Sequence, residues 1–242
     1  MERLGVIGGM GPEATSYFYD QVIAHTAAER DQDHIDMVVL SHASMPDRTR
    51  AILTGETGPL LDAMRADTRA LEALGCANIA IPCNTSHYFY DTIQSFTSVP
   101  IIHMPREAVL EAVRGRGARR VGIMGTDGTV RAGVYARECE ALGAEAVAPS
   151  PERQADVMSL IYDDVKAGRE ADLSKFGRVV DELAERGCDA VILACTELSV
   201  VKRSHGAGDI CLDAMDVLVR ESIVRSGARY QALAAAGDIS AR

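Results

Sequence analysis

The sequence predicts an α/β protein of two pseudo-symmetric lobes, each a parallel sheet flanked by helices. Short β-rich runs alternate with longer helix-like segments, the pattern of parallel strands covered by crossover helices. The rhythm begins again near residue 121, and the second half repeats pieces of the first in detail, as a duplicated unit does.

The first set of strands is read at Leu4 to Ile7, Met37 to Leu40, Asn78 to Ile81 and Val99 to His103. The second set is read at Val121 to Met124, Ala144 to Ala148, Ala190 to Leu193 and Asp209 to Leu212. Helices are expected at Pro12 to Arg30, Leu60 to Leu74, Arg106 to Arg114, Thr129 to Leu142, Gln154 to Ala167 and Asp172 to Arg186. Pro12 suits a first helical turn, where its missing N–H leaves nothing unpaired. One lobe is assigned to residues 1–104 plus about 213–228, the other to 105–212.

The repeats are specific. Gly5-Val6-Ile7-Gly8 returns as Gly122-Ile123-Met124-Gly125, a strand running into a glycine turn. Gly75-Cys76, six residues and Cys83 return as Gly187-Cys188, six residues and Cys195. Cys83 and Cys195 therefore fall just beyond the carboxyl ends of equivalent strands, where open parallel sheets bind ligands. Cys76 and Cys188 fall at the opposite ends of those strands and read as buried small hydrophobes. Cys139 and Cys211 have no such duplicated, polar setting.

Composition narrows the function classes. The 242 residues are 47% hydrophobic and 25% charged, which suits a folded enzyme-sized core. A formal net charge of −10 argues against nucleic acid as a partner, and an anionic substrate would need local cations to hold it. No apolar run nears the roughly 20 residues of a membrane helix, and no export signal is recognisable, so a cytoplasmic location without membrane contact is expected. Six cysteines in a reducing compartment are then thiols rather than disulfides.

Inverting an α-carbon requires two acid/base groups flanking it, one deprotonated and one protonated. Two cysteines from mirrored lobes meet that requirement. The polar residues after each, Asn84-Thr85-Ser86 and Thr196-Glu197, look like helix N-termini, whose free N–H groups favour an anion.

Gly5 to Thr15, Pro82-Cys83-Asn84-Thr85-Ser86-His87 and Ala194-Cys195-Thr196-Glu197-Leu198 together resemble three signatures of the aspartate/glutamate racemase family, on its aspartate racemase side. The resemblance runs from residue 4 to about residue 225. It implies racemisation of a small amino-acid substrate, aspartate or glutamate, without pyridoxal phosphate or any other cofactor, with Cys83 and Cys195 catalytic, and a homodimer. It also matches Arg48 and Lys166 to positions that bind substrate carboxylates, where Arg offers a bidentate fork and Lys a point charge. Asn84, Thr85 and Thr196 are expected to hydrogen-bond the α-carboxylate, with Met10 and Thr126 lining the floor. Glu197, where the glutamate racemase branch commonly has histidine, and His87 are candidates for supporting proton transfer. The bland alternatives are a solvated cation for each of Arg48 and Lys166 and a helix-face histidine for His87.

Other readings compete. Gly9-Met10-Gly11-Pro12-Glu13-Ala14 fits a loose dinucleotide fingerprint, but Ser41-His42 stands where an acidic residue is expected after the second strand. A non-catalytic two-lobed binding protein would not need duplicated thiols, and the cysteines lack the close spacing of a zinc site. Within the superfamily the alternative is an isomerase of another small carboxylate or amide, such as a hydantoin.

Overall fold

A computed structural model describes residues 1–232. Two parallel sheets form its frame. The first joins β2 (Met37–Ser41), β1 (Leu4–Gly8) and β3 (Asn78–Ala80) in that spatial order. The second has the order β5 (Glu145–Val147), β4 (Arg120–Gly125), β6 (Ala190–Ala194) and β7 (Cys211–Asp213). The register runs Leu4 opposite Met37 and Asn78 in the first sheet, and Val121 opposite Ala190 in the second.

Successive strand residues point to opposite faces, and the apolar clusters follow that period of two. Leu4, Val6, Val121, Ile123, Ala190 and Ile192 all enter one core shared by both sheets and by α1 (Pro12–His25), α5 (Met104–Leu110), α7 (Val134–Ala141) and α11 (Ala214–Arg225). Ile7, Ile79 and Ile81 enter a second core with α3 (Gly58–Ala73). Met124, Val191 and Leu193 enter a third with α8 (Pro151–Ser159) and α9 (Leu173–Glu185).

One expected strand is not formed. Val99 to His103 contributes a single parallel bridge between Ile79 and Ile101. Pro100 has no N–H to continue a ladder, although its carbonyl accepts from Ile79 N at 3.0 Å. His103 caps α5 instead, accepting from Arg106 N.

Several helices also differ from expectation. α1 stops at His25 rather than Arg30. The expected helix at Thr129 to Leu142 breaks into α6 (Asp127–Arg131) and α7 because Gly133 turns left-handed, with φ of 63°. The segment expected to end at Ala167 passes from α8 into a π-helical turn, Leu160–Val165. The segment expected to end at Arg114 does the same after α5, at Glu111–Gly115. Short α2 (Arg48–Thr54) and α4 (Tyr90–Gln94), and the longer α11, were not expected as helices; α10 (Thr196–His205) begins at the helix start read at Thr196-Glu197, whereas only a 3₁₀ turn covers Thr85–Phe89.

Candidate active site

The carboxyl ends of β1, β3, β4 and β6 meet around one small, tightly closed cavity. Met10, Arg48, Cys83, Asn84, Thr85, Thr126, Lys166, Cys195, Thr196 and Glu197 all line it, so the structure brings together every residue singled out in the sequence except His87.

Each side chain is delivered by local chain chemistry. Met10 lies in the turn after β1. Gly9 there has φ of 84°, and a Cβ would sit 2.5 Å from the His42 backbone, so the turn requires glycine. Ser86 Oγ donates to the Met10 thioether at 3.6 Å. This glycine turn forms a wall of the cavity, with Gly11 facing Glu197.

Arg48 opens α2, whose N-terminus is capped by Asp47. Its Nη1 donates to the carbonyls of Pro46 at 2.9 Å and Met45 at 3.3 Å, while its buried Nε has no partner. Burial opposes the guanidinium charge, but Cys83, then Asp47 and Glu197, outweigh it and hold its pKa above the ordinary value. Lys166 follows the π turn, its N–H reaching back five residues to the Ile161 carbonyl at 3.0 Å. Its Nζ stands 3.7 Å from Glu197 Oε1 and 4.6 Å from the centre of the Tyr162 ring. Burial again opposes the charge, and Glu197, Cys195, Tyr162 and Cys83 together raise the pKa.

The two cysteines have unlike surroundings. Cys195 occupies the N-cap position of α10. The expectation that this helix start would favour a thiolate fails: burial and the adjacent Glu197 push the Cys195 pKa well above the ordinary thiol value. Its Sγ donates to Glu197 Oε2 at 2.9 Å. Cys83 precedes the 3₁₀ turn rather than a full helix.

Hydrogen-bonding capacity remains free at the floor. Asn84 Oδ1 accepts from the Tyr135 hydroxyl, which fixes the amide, while Asn84 Nδ2 is buried without a partner. Thr85 bonds across the two halves to Thr126 at 3.2 Å and Thr129 at 3.0 Å. Thr196 Oγ1 lies 3.4 Å from Glu197 Oε2.

His87 is turned away from the cavity. Its Nδ1 faces the Cys83 carbonyl at 3.0 Å and its Nε2 accepts from Met104 N at 3.2 Å, which fits a neutral ring protonated at Nδ1. Complete burial, with nearby His103, lowers its pKa to about 4. It braces the Cys83 backbone rather than reaching the thiol.

Sequence reasoning missed Tyr162, Asp47, Thr49, Tyr135 and Thr129. Tyr162 lies one helical turn before Lys166, a spacing that signals a shared face, and Asp47 and Thr49 flank Arg48. Thr129 stands three residues after Thr126, the spacing of a helix-capping pair, and nothing local singles out Tyr135. Cys76, Cys139, Cys188 and Cys211 are buried away from this cavity, as their settings suggested. Among the described residues no group of three His, Cys, Asp or Glu is placed to hold a metal ion, and no helix is long and apolar enough to cross a membrane.

Comparison with known proteins adds an independent line. The broad-specificity amino-acid racemase of Bacillus subtilis (strain 168) is 27% identical over 241 residues, covering 94% of this chain and 99% of that protein. The solved structure of Picrophilus torridus aspartate racemase superimposes with a TM-score of 0.80 at 27% identity, covering 96% of each chain. Glutamate racemase from Francisella tularensis, solved with D-glutamate, shares the fold at 16% identity, with a TM-score of 0.65 over 90% of this chain and 78% of that one. The family description Asp/Glu/hydantoin racemase matches residues 7–222, which contain every strand after β1 and every cavity residue from Met10 to Glu197, and the chain belongs to that family.

Proposed function

We propose that the protein racemises aspartate or glutamate without a cofactor, passing the α-proton between Cys83 and Cys195. The observation that carries this reading is one small cavity lined by both thiols, each at the carboxyl end of an equivalent strand of a duplicated unit. In this reading one thiolate removes the α-proton while the opposite thiol supplies another. The negative charge that builds up on the α-carboxylate is met by Asn84 Nδ2 and the threonine hydroxyls, preorganised before the reaction begins. Arg48 and Lys166 supply the cations that a dicarboxylate requires in a chain of net charge −10. The aspartate racemase name of the Picrophilus relative supports the choice of substrate.

A wider substrate range, extending to other small carboxylates or amides, is the second reading. A larger cleft lined by Gly9, Pro12, Ala43, Val165 and Val200 adjoins the cavity and shares Met10, Arg48, Lys166 and Glu197 with it, giving a longer side chain somewhere to go. The Bacillus relative's broad specificity points the same way.

A homodimer in the cytoplasm belongs to the same proposal. So does the division into 1–104 plus about 213–228 and 105–212, supported by the packing of α11 on α1 and β3, although α11 also packs on α5 of the other lobe. The test is racemisation of L-aspartate and L-glutamate in deuterated water. Early D product should carry deuterium at Cα while unreacted L isomer stays protiated. Product that retains the original proton would mean a single base and contradict the reading.

A further inference from the structure

We propose that Glu197 is a positioning residue that keeps Cys195 as the protonated thiol in the free enzyme and leaves Cys83, beside Arg48, as the base. This rests on the two-cysteine reading and extends it to where the single thiol proton resides before substrate binds.

The duplication exposes the asymmetry. Two residues beyond Cys83 stands Thr85; two residues beyond Cys195 stands Glu197. The Thr85 hydroxyl is engaged by Thr126 and Thr129 and brings no charge to Cys83. Glu197 Oε2 accepts the Cys195 thiol proton at 2.9 Å, and Glu197 Oε1 faces Lys166 at 3.7 Å. A carboxylate touching a thiol opposes formation of a second negative charge there, and burial acts in the same direction.

The other groups turned toward Cys195 do not reverse this. Tyr162 and Lys166 come from the π turn and its end, Tyr135 from α7, and Arg48 and Cys83 from across the cavity. Lys166 and the Glu197 backbone N–H favour a Cys195 thiolate, but burial and the Glu197 carboxylate outweigh them, and Lys166 itself pairs with Glu197 at 3.7 Å. On the Cys83 side the second cavity carboxylate, Asp47, is committed to the start of α2, accepting from Arg50 N at 2.7 Å.

In the forward step Cys83 as thiolate takes the α-proton and Cys195 gives its own to the opposite face, leaving Cys83 as thiol and Cys195 as thiolate. Exchange with water then restores the starting form. The two enantiomers have equal free energy, so kcat/KM is the same in both directions whatever Glu197 does. The assignment therefore appears in thiol reactivity rather than in directional efficiency.

Alkylation by substoichiometric iodoacetamide, followed by peptide mass spectrometry from pH 6 to 10, reads that reactivity directly. Cys83 and Cys195 are equally enclosed, at 6% and 7% exposure, so access does not favour either. In the wild-type protein at pH 7.5 Cys83 should react about tenfold or more faster, with Cys195 catching up only at higher pH. Glu197→Gln should raise the Cys195 rate at pH 7.5 by about tenfold, after allowing for the lower nucleophilicity of a less basic thiolate. Glu197→Asp, which retains the charge, should stay within about threefold of wild type. A wild-type Cys195 that reacts as fast as Cys83, or a Cys195 rate unchanged in Glu197→Gln, would overturn the proposal. If Glu197→Gln fails to fold, the wild-type comparison alone decides. If the wild-type protein racemises neither amino acid, the two-cysteine reading fails on its own, and the alkylation profiles still answer the question about Glu197.

Discussion

Replacing Arg48 with leucine removes a cation that lies against Cys83 and leaves two backbone carbonyls without their donor. Losing one charged hydrogen-bond partner of the substrate in a closed site costs about 2–4 kcal/mol of transition-state stabilisation, a roughly thirty- to thousandfold drop in kcat/KM. The carbonyls of Met45 and Pro46, now bonded at 3.3 and 2.9 Å, would turn toward water or go unpaired. That adds about 1–2 kcal/mol of lost stability, a fall in Tm of roughly 2–8 °C for a chain of this size. Arg48→Lys keeps the charge but loses the fork, and should recover only part of the activity. Chiral chromatography of aspartate and glutamate, with calorimetry on the same samples, measures both effects. A folded Arg48→Leu protein with kcat/KM within threefold of wild type would refute the carboxylate role.

Three further outcomes follow from other parts of the structure. Dialysed protein should racemise in EDTA and hydroxylamine but lose activity on treatment with iodoacetamide, and activity that survives complete alkylation would remove the thiols from the mechanism. Gly128→Ala places a Cβ 2.8 Å from Thr49 Oγ1 and 3.1 Å from its Cα, so α2 must move and carry Arg48 with it. The expected loss is about tenfold or more in kcat/KM with the fold retained, and unchanged kinetics would show that α2 tolerates displacement. His87 has its pKa lowered to about 4 in the folded chain, against 6.5 for the free side chain. The stability linked to its neutral form is complete above pH 6.5 and is lost as pH falls through 4. Between pH 7.5 and 5.0 that amounts to about 2 kcal/mol. Urea unfolding of His87→Gln should show a correspondingly smaller loss over that interval, and an equal loss would assign the acid sensitivity elsewhere.

Much of this arrangement is legible in the chain because duplication writes the same physics twice. Gly-Cys-x6-Cys marks two strands and their ends by position alone, and alternating apolar residues fix which faces are buried. What escaped was set by the details of backbone geometry. Pro100 removes the N–H that a fourth strand would need. Gly133 breaks a helix that hydrophobic periodicity runs straight through. The π turn before Lys166 depends on a hydrogen-bond register that side-chain pattern does not encode. Tyr135 reaches the floor from a distant segment that no local signal marks, whereas Thr129 lies one turn after Thr126 and was within reach of the sequence as its capping partner. The helix-start argument for a Cys195 thiolate failed because the thiol is buried and the same short segment places the Glu197 carboxylate 2.9 Å away, and together these outweigh partial charges on backbone N–H groups.

The racemisation rates of Cys83→Ala and Cys195→Ala test the two-thiol account most directly. Each substitution strips one wall of the cavity of its acid or base while leaving Arg48, Lys166 and the hydrogen-bonding floor in place. Each single variant should remain folded and lose racemisation of aspartate and glutamate to the limit of detection. Either variant racemising close to the wild-type rate would contradict proton transfer between the two cysteines.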